Sequence, residues 1–347
     1  MKLGVMFGQD NRWLPPGPER CGYNGVPDSF TTYSQLFPND DFAYVSPDNL
    51  DLEMVNRLDA IIYYLGVSDG RFLGFVDRLQ CPVLAMLVGT NGYYDSLTHL
   101  AFGGINRTVE VLNKCDLVVG VDQWGMGIFP LYTKTPVVYM PIPMPIEYAQ
   151  QVASESAVGE YDIVIPYGPY ISQIRERNGI LACLIAQRII DEIPYYRNMA
   201  VFNLTNQQSD MDATEEFMRD LGCKDFVLFP YVSYGEFIKV LAGAKLGLDL
   251  DICRGTGKFA VDCAILRKPA ILSSTLSYAV AIYRHTGALV HPLDVNAVMG
   301  KALFISQGLW PSSWRQTPYV AAQEYSISKA AERLEEAVKV LNATKGV

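Results

Sequence analysis

Short apolar runs and amphipathic stretches alternate along the whole chain. In the N-terminal half the apolar runs fall at residues 2–8, 42–46, 60–66, 83–89, 117–121 and 137–140. Between them, around 29–36, 52–58, 72–79 and 105–114, apolar residues recur at helical spacing. Runs this short and uniformly apolar predict strands buried on both faces, as in a parallel sheet flanked by helices. Pro141, Pro143 and Pro145 then remove backbone donors and predict an exit into a linker. The alternation resumes with predicted strands at 163–167, 200–204, 226–229 and 246–250, and predicted helices at 180–190, 213–221 and 237–242. A last helix is predicted over 327–341, with apolar residues at 327, 330, 334, 337, 338 and 341, a stripe suited to packing across a domain surface. The pattern therefore predicts an α/β chain of two doubly wound layers of similar size.

The stretch 246–273, LGLDLDICRGTGKFAVDCAILRKPAILS, carries the most chemistry. It reads as strand, glycine turn, helix and strand, with the helix starting near Gly257. The unpaired N–H groups and positive dipole end of such a helix favour an anion, and glycines let a phosphate come close. Arg254 and Lys258 flank that point. Asp262 lies one turn beyond Lys258 and is placed to accept bonds from ribose hydroxyls. A plain helix start with a surface ion pair is the other reading. A Walker motif is excluded, because Ile252 and Phe259 stand where it needs Gly and Ser or Thr.

This segment resembles the donor-binding motif of GT-B glycosyltransferases, especially retaining enzymes of glycosyltransferase family four. Their pattern E-G-F-G-x4-E-A-x3-G-x-P-x-I aligns without gaps to Arg254-Gly255-Thr256-Gly257, then Asp262-Cys263, then Lys268-Pro269-Ala270-Ile271. The first glutamate of the pattern, which contacts the transferred sugar, is Arg254 here; the second, which binds ribose, is the shorter Asp262. The resemblance implies a GT-B fold: two Rossmann-like doubly wound domains facing a cleft, with the C-terminal helix crossing back to the first. It implies an acceptor domain over 1–150, a nucleotide-sugar donor domain over 151–310, and returning helices over 311–347.

The resemblance extends over most of the C-terminal half. Tyr161 to Gly168, YDIVIPYG, falls where the family has the first strand and glycine of the donor domain, and Arg177-Asn178-Gly179 falls on its Lys-Gly step. Arg175 or Arg177 thus stands for the diphosphate-holding lysine, unless both are solvated. FVLFPYV at 226–232 places Pro230, Tyr231 and Val232 at the turn that meets the base. LVHPLD at 289–294 matches a fold marker. In the N-terminal half, Gly22-Tyr23-Asn24-Gly25 lies where the family has a glycine pair near the donor phosphate and acceptor, or forms an ordinary turn. Asp10, Asn11, Thr90, Asn91, Asp122 and Trp124 follow predicted strands, at the carboxyl ends that line the crevice of open α/β sheets. They are acceptor-site candidates, with Asp10, Asn91 and Asp122 as the catalytic ones beside Arg254 and Lys258. His99 reads as structural.

Composition narrows the function. With 347 residues, 50% apolar and 12% aromatic, the chain can fill two cores. A net charge of −9 and a pI near 4.9 disfavour a broad grip on nucleic acid. No apolar run reaches the roughly 18 to 20 residues of a membrane span, and residues 1–8 are too short for a signal peptide, so a cytoplasmic protein is expected. Seven scattered cysteines without C-x-x-C spacing read as buried free thiols, and three histidines without clustered ligands make no zinc motif. The resemblance implies transfer of a hexose or pentose, with retention, from a nucleotide-diphosphate sugar such as a UDP-sugar to a hydroxyl acceptor. It implies no metal and no cofactor beyond that co-substrate. Two alternatives stay open: a phage-type enzyme acting on hydroxymethylated DNA bases, which the acidic charge disfavours, and a non-catalytic nucleotide-sugar binding protein. A Rossmann dehydrogenase would need G-x-G-x-x-G after the first strand, which is lacking.

Overall fold

The computed structural model describes residues 1–6, 12–14, 42–47, 49–65, 69–86, 104–155, 159–169, 178–203, 205–252 and 255–345. The chain divides into two units, Met1–Pro145 with Tyr325–Val347, and Ile146–Glu324.

In the first unit, strands β1 (Leu3–Met6), β2 (Arg12–Leu14), β3 (Phe42–Val45), β4 (Ala60–Tyr64), β5 (Val83–Met86), β6 (Leu117–Gly120) and β7 (Val137–Tyr139) form one sheet. Its order is β2-β3-β1-β4-β5-β6-β7, parallel except for β2 against β3. Side chains alternate between two cores, as the period of two in a strand requires. Val5, Ile62, Leu84 and Val119 enter one core; Met6, Ile61, Val83 and Val118 enter the other. Helices α1 (Leu52–Val55), α2 (Asp69–Phe75), α3 (Gly104–Lys114) and α4 (Gln123–Tyr132) follow strands. Val55, Phe72, Val111 and Phe129 close the second core.

The opposite core is closed by the C-terminal helix, Ile327–Lys345. Its apolar stripe delivers Ala330, Leu334, Val338 and Leu341 onto β1, β4, β5 and β6, with Ile327 and Ala337 partly buried beside them. Fully burying a leucine- or valine-sized side chain is worth about 1.5–3 kcal/mol, so this helix is an integral part of the first unit.

The second unit has β8 (Ile163–Ile165), β9 (Met199–Phe202), β10 (Phe226–Phe229), β11 (Leu246–Asp249), β12 (Ala270–Ser273) and β13 (Leu289–Val290), all parallel, in the order β10-β9-β8-β11-β12-β13. Its helices are α5 (Ile146–Ser154), α6 (Gly179–Glu192), α7 (Gln208–Asp220), α8 (Tyr234–Gly243), α9 (Lys258–Ile265), α10 (Ser277–Tyr283), α11 (Val295–Ser306) and α12 (Ser313–Ala322). Buried Asp162 fixes the entry to β8: it takes the Lys245 ammonium at 2.8 Å and the Arg197 N–H at 2.8 Å.

Two expectations are corrected. The proline segment is not a loose linker: Met140, Ile142 and Met144 are buried, and the Met144 N–H donates to the Tyr325 carbonyl at 2.7 Å. Pro145 then directly precedes α5, where a missing N–H leaves no helix bond unmade. Nor does the chain re-enter the first unit at 311. The α12 helix packs on α9 and α10, and the return begins at Tyr325. The predicted helix at 29–36 lies outside the described residues. Among the described residues no helix is long and apolar enough to cross a membrane.

Candidate functional site

Strand order reverses between β8 and β11. From β8 the chain winds outward through β9 and β10; from β11 it winds the other way through β12 and β13. At such a switch point the loops beyond the carboxyl ends part and leave a crevice. The helix that follows each of the two strands, α6 after β8 and α9 after β11, presents its N-terminus there.

The start of α6 is held by a close backbone approach. A β-carbon on Gly179 would lie 2.6 Å from the Gly168 carbonyl carbon, so only glycine fits. Asn178, the residue before it, is left-handed at φ 50°, and its carboxamide donates to the Leu250 carbonyl at 2.9 Å, just past β11. Gly168 donates to the Phe202 carbonyl at 2.7 Å. These bonds tie the end of β8, the start of α6 and the end of β11 into one corner.

The start of α9 is built differently. Gly257 caps the helix at φ 74°, ψ 50°. The carbonyls of Gly255 and Thr256 take the N–H groups of Ser277 and Tyr278 at 2.9 and 2.8 Å, which ties this turn to the start of α10. Among the described residues no acceptor takes the N–H of Gly255, Thr256 or Gly257. Lys258 is the first helical residue and is half-buried. A helix start with open amides and a cation beside it is an anion site in miniature.

Asp262 is buried one turn further on and accepts the Tyr234 hydroxyl at 2.6 Å. Tyr234 opens α8, whose start is fixed by a capping box between Ser233 and Glu236. Glu236 is held below the ordinary carboxylate pKa chiefly by its bond from the Ser233 hydroxyl. Pro230, Tyr231 and Val232 lead directly into this cap, and the Tyr231 N–H donates to the Thr205 carbonyl at 3.0 Å. The turn expected to meet the base and the carboxylate expected to meet the ribose are therefore joined through Tyr234. Neither Tyr234 nor the Asn178 bond was read from the sequence. The S-x-x-E of the capping box and the Asn-Gly step were the available signals.

In the first unit Asp122 follows β6 and caps α4, accepting the Gly125 N–H at 2.7 Å. Trp124 is partly exposed on the first turn of α4. Burial pushes the Asp122 carboxyl above its ordinary pKa, while the Gly125 and Trp124 N–H groups pull it back. A raised native value means that ionisation favours the unfolded chain, so this group's contribution falls as pH rises from the ordinary carboxylate value to the native one. Asp122→Asn keeps the cap without the charge, and its melting temperature should exceed wild type at neutral pH, with the gap closing below the carboxylate range. Asp122→Ala loses the cap and should cost about 1 kcal/mol. Thermal melts across pH check both, and a gap that widens on acidification would contradict the burial argument.

Asp10, Asn11, Gly22, Tyr23, Asn24, Gly25, Thr90, Asn91, His99, Arg175, Arg177 and Arg254 lie outside the described residues. The cysteines at 81, 115, 183, 223 and 263 are free and buried; Cys21 and Cys253 lie outside the described residues.

No protein-family model matches the sequence, and a search of curated proteins finds no match. Solved structures do match. An alpha,alpha-trehalose 6-phosphate synthase from Burkholderia multivorans superposes with a TM-score of 0.68 at 11% identity over 99% of each chain. Sucrose-phosphate synthase from Thermosynechococcus elongatus gives 0.64 at 13% identity, covering 88% of this chain and 84% of that one. A UDP-forming alpha,alpha-trehalose-phosphate synthase from Burkholderia xenovorans in complex with glucose-6-phosphate gives 0.62 at 11% identity over 89% and 76%. Such identities speak for the fold alone, and the fold is GT-B: two parallel-sheet α/β units with the C-terminal helix packed on the first.

Proposed function

We propose that this chain is a glycosyltransferase that moves a sugar from a nucleotide-diphosphate sugar to a hydroxyl acceptor, with retention at the anomeric carbon. The observation that carries the reading is the crevice between β8 and β11, where the open amides of the Gly257 turn meet Lys258 and where Asp262 is buried one turn beyond. The diphosphate lies against Gly255, Thr256, Gly257 and Lys258, helped by Arg254 and by Arg175 or Arg177. Gly168 gives the phosphate room, Asp262 bonds the ribose, and Pro230, Tyr231 and Val232 meet the base. Gly22 and Gly25, outside the described residues, are further donor-binding candidates on the resemblance alone. The UDP-forming neighbour supports a UDP-sugar.

In the reaction the bond from the anomeric carbon to the β-phosphate oxygen breaks, and the bond to the acceptor oxygen forms on the same face. The acceptor proton passes to the leaving diphosphate, so no separate base is required. Charge grows on that diphosphate, where each preorganised donor typically stabilises the transition state by about 3–4 kcal/mol. Asp10, Asn91 and Asp122 are the acceptor-side residues of this proposal.

The ribose contact gives a direct test. Wild-type protein should bind UDP about tenfold more tightly than its 2′-deoxy analogue, since a hydrogen bond to a charged carboxylate contributes about 1.5–3 kcal/mol. Asp262→Ala should lose that preference, and Tyr234→Phe should weaken it. Calorimetry with both nucleotides, together with a screen of UDP- and GDP-sugars for hydrolysis or transfer, checks the reading. A protein that neither binds nor turns over any nucleotide sugar would end it.

A further inference from the structure

Arg267 stands where the backbone favours glycine. It follows the C-cap of α9 at φ 53°, with its N–H on the Ala264 carbonyl and the next N–H, of Lys268, on the Cys263 carbonyl, the bond pattern that closes a helix with a left-handed residue. The glycine of the motif E-A-x3-G-x-P falls on this same position. An arginine kept against that local preference needs a use for its side chain.

The surroundings supply one. Arg267 and Arg315 line an open cavity of about 690 Å³ together with Trp310, Ser312, Ser313 and Gln316. Its size suits a small molecule better than a bare ion. The Arg267 guanidinium lies 4.2 Å from the Tyr319 ring centroid, which fixes it without neutralising it. Lys268 lies behind, donating to the Ala244 carbonyl at 3.2 Å; burial pushes its ammonium below the ordinary value, and the Arg315 charge pushes the same way. None of these three cations forms an ion pair with a described carboxylate, in a chain whose net charge is −9. Ser312 and Ser313 open α12, the Ser312 hydroxyl makes no capping bond, and no described acceptor takes the Ser313 N–H. Trp310 is only 5% exposed, and its buried indole N–H has no acceptor among the described residues.

We infer that this cavity binds a phosphomonoester carried on a polar body of sugar size. Guanidinium forks match phosphate oxygens two at a time, serine hydroxyls and a helix start complete the oxygen shell, and the Gln316 amide faces the body. The site is separate from the proposed donor crevice. Lys258 begins α9 and Arg267 follows its far end, so the full helix, about 12 Å at 1.5 Å per residue, lies between them.

The test uses the whole protein, with inorganic phosphate and sorbitol 6-phosphate as probes at constant ionic strength. Calorimetry should show sorbitol 6-phosphate binding at least about tenfold more tightly than inorganic phosphate. Arg267→Gly and Arg315→Gln should each weaken the sugar phosphate by about tenfold or more. Arg267→Gly should also melt no lower than wild type, because glycine suits the left-handed backbone, so loss of binding there is not loss of fold. Arg188→Gln, on the exposed face of α6 and outside both sites, should bind both probes as wild type does. Equal affinity for both probes would overturn the phosphomonoester class. Absence of binding in wild type, unchanged binding in both arginine variants, or loss in Arg188→Gln would overturn the site.

Discussion

Valine at position 257 is expected to lower the melting temperature by several degrees and to remove nucleoside-diphosphate binding. Gly257 sits at φ 74°, where a side chain costs about 1–2 kcal/mol and a β-branched one more. A β-carbon there would lie 2.8 Å from the Leu276 β-carbon, and Leu276 is fully buried, so the clash adds about 1–3 kcal/mol of overpacking. The loop relieves this strain by shifting the amides that precede α9, which are the proposed phosphate donors. Gly257→Ala carries the same clash with less bulk and should fall between. Chemical denaturation of the free proteins and titration with UDP separate the two effects. A valine variant as stable as wild type would show that the turn does not depend on a left-handed residue.

Much of the fold was legible because parallel strands buried on both faces have nothing to vary. The apolar runs at 83–89 and 117–121 bracket β5 and β6, and the stripe from 327 to 341 is the face that meets the first sheet. What escaped reading lacked a period. The α4 helix, QWGMGIFPLY, contains two glycines, a proline and no charge, so local propensity argues against it; Asp122 at its start and Phe129 in the core make it helical. The three residues of β2 are too few to carry a pattern, and their pairing with β3 is what makes them a strand.

The candidate site divides along the same line. The glycine turn, Lys258 and Asp262 are close in sequence, and helical spacing alone places Lys258 and Asp262 on one face of α9, next to the turn that caps it. Tyr234 is 28 residues from the carboxylate it bonds, and Asn178 is 72 residues from the carbonyl it ties down. Contacts at that separation come from the strand order, which apolar runs do not encode. Asp122 shows the converse: its position at a strand end was legible, whereas its use as a helix cap depends on the geometry of one turn.

Charge reversal at Arg254 and at Lys258 should have the largest effect on the donor. If both hold the diphosphate, each glutamate replaces an attraction by a repulsion in a partly desolvated crevice. One such pair at 4 Å is worth about 4 kcal/mol at an effective dielectric near 20, on the order of a thousandfold in affinity. Lys258→Glu also places a negative charge at a helix start, which the dipole tolerates well, so the free protein should keep its stability while UDP binding is lost. Arg254→Glu is the more discriminating change, because it restores the residue that the family motif has at that position. An arginine that neutralises phosphate makes the variant fail to bind UDP at all. An arginine that merely stands in for the sugar-contacting glutamate leaves UDP binding intact and alters only the affinity for the complete nucleotide sugar. Calorimetric titration of Arg254→Glu with UDP and with UDP-glucose decides between these, and wild-type affinity for UDP would remove Arg254 from the phosphate site.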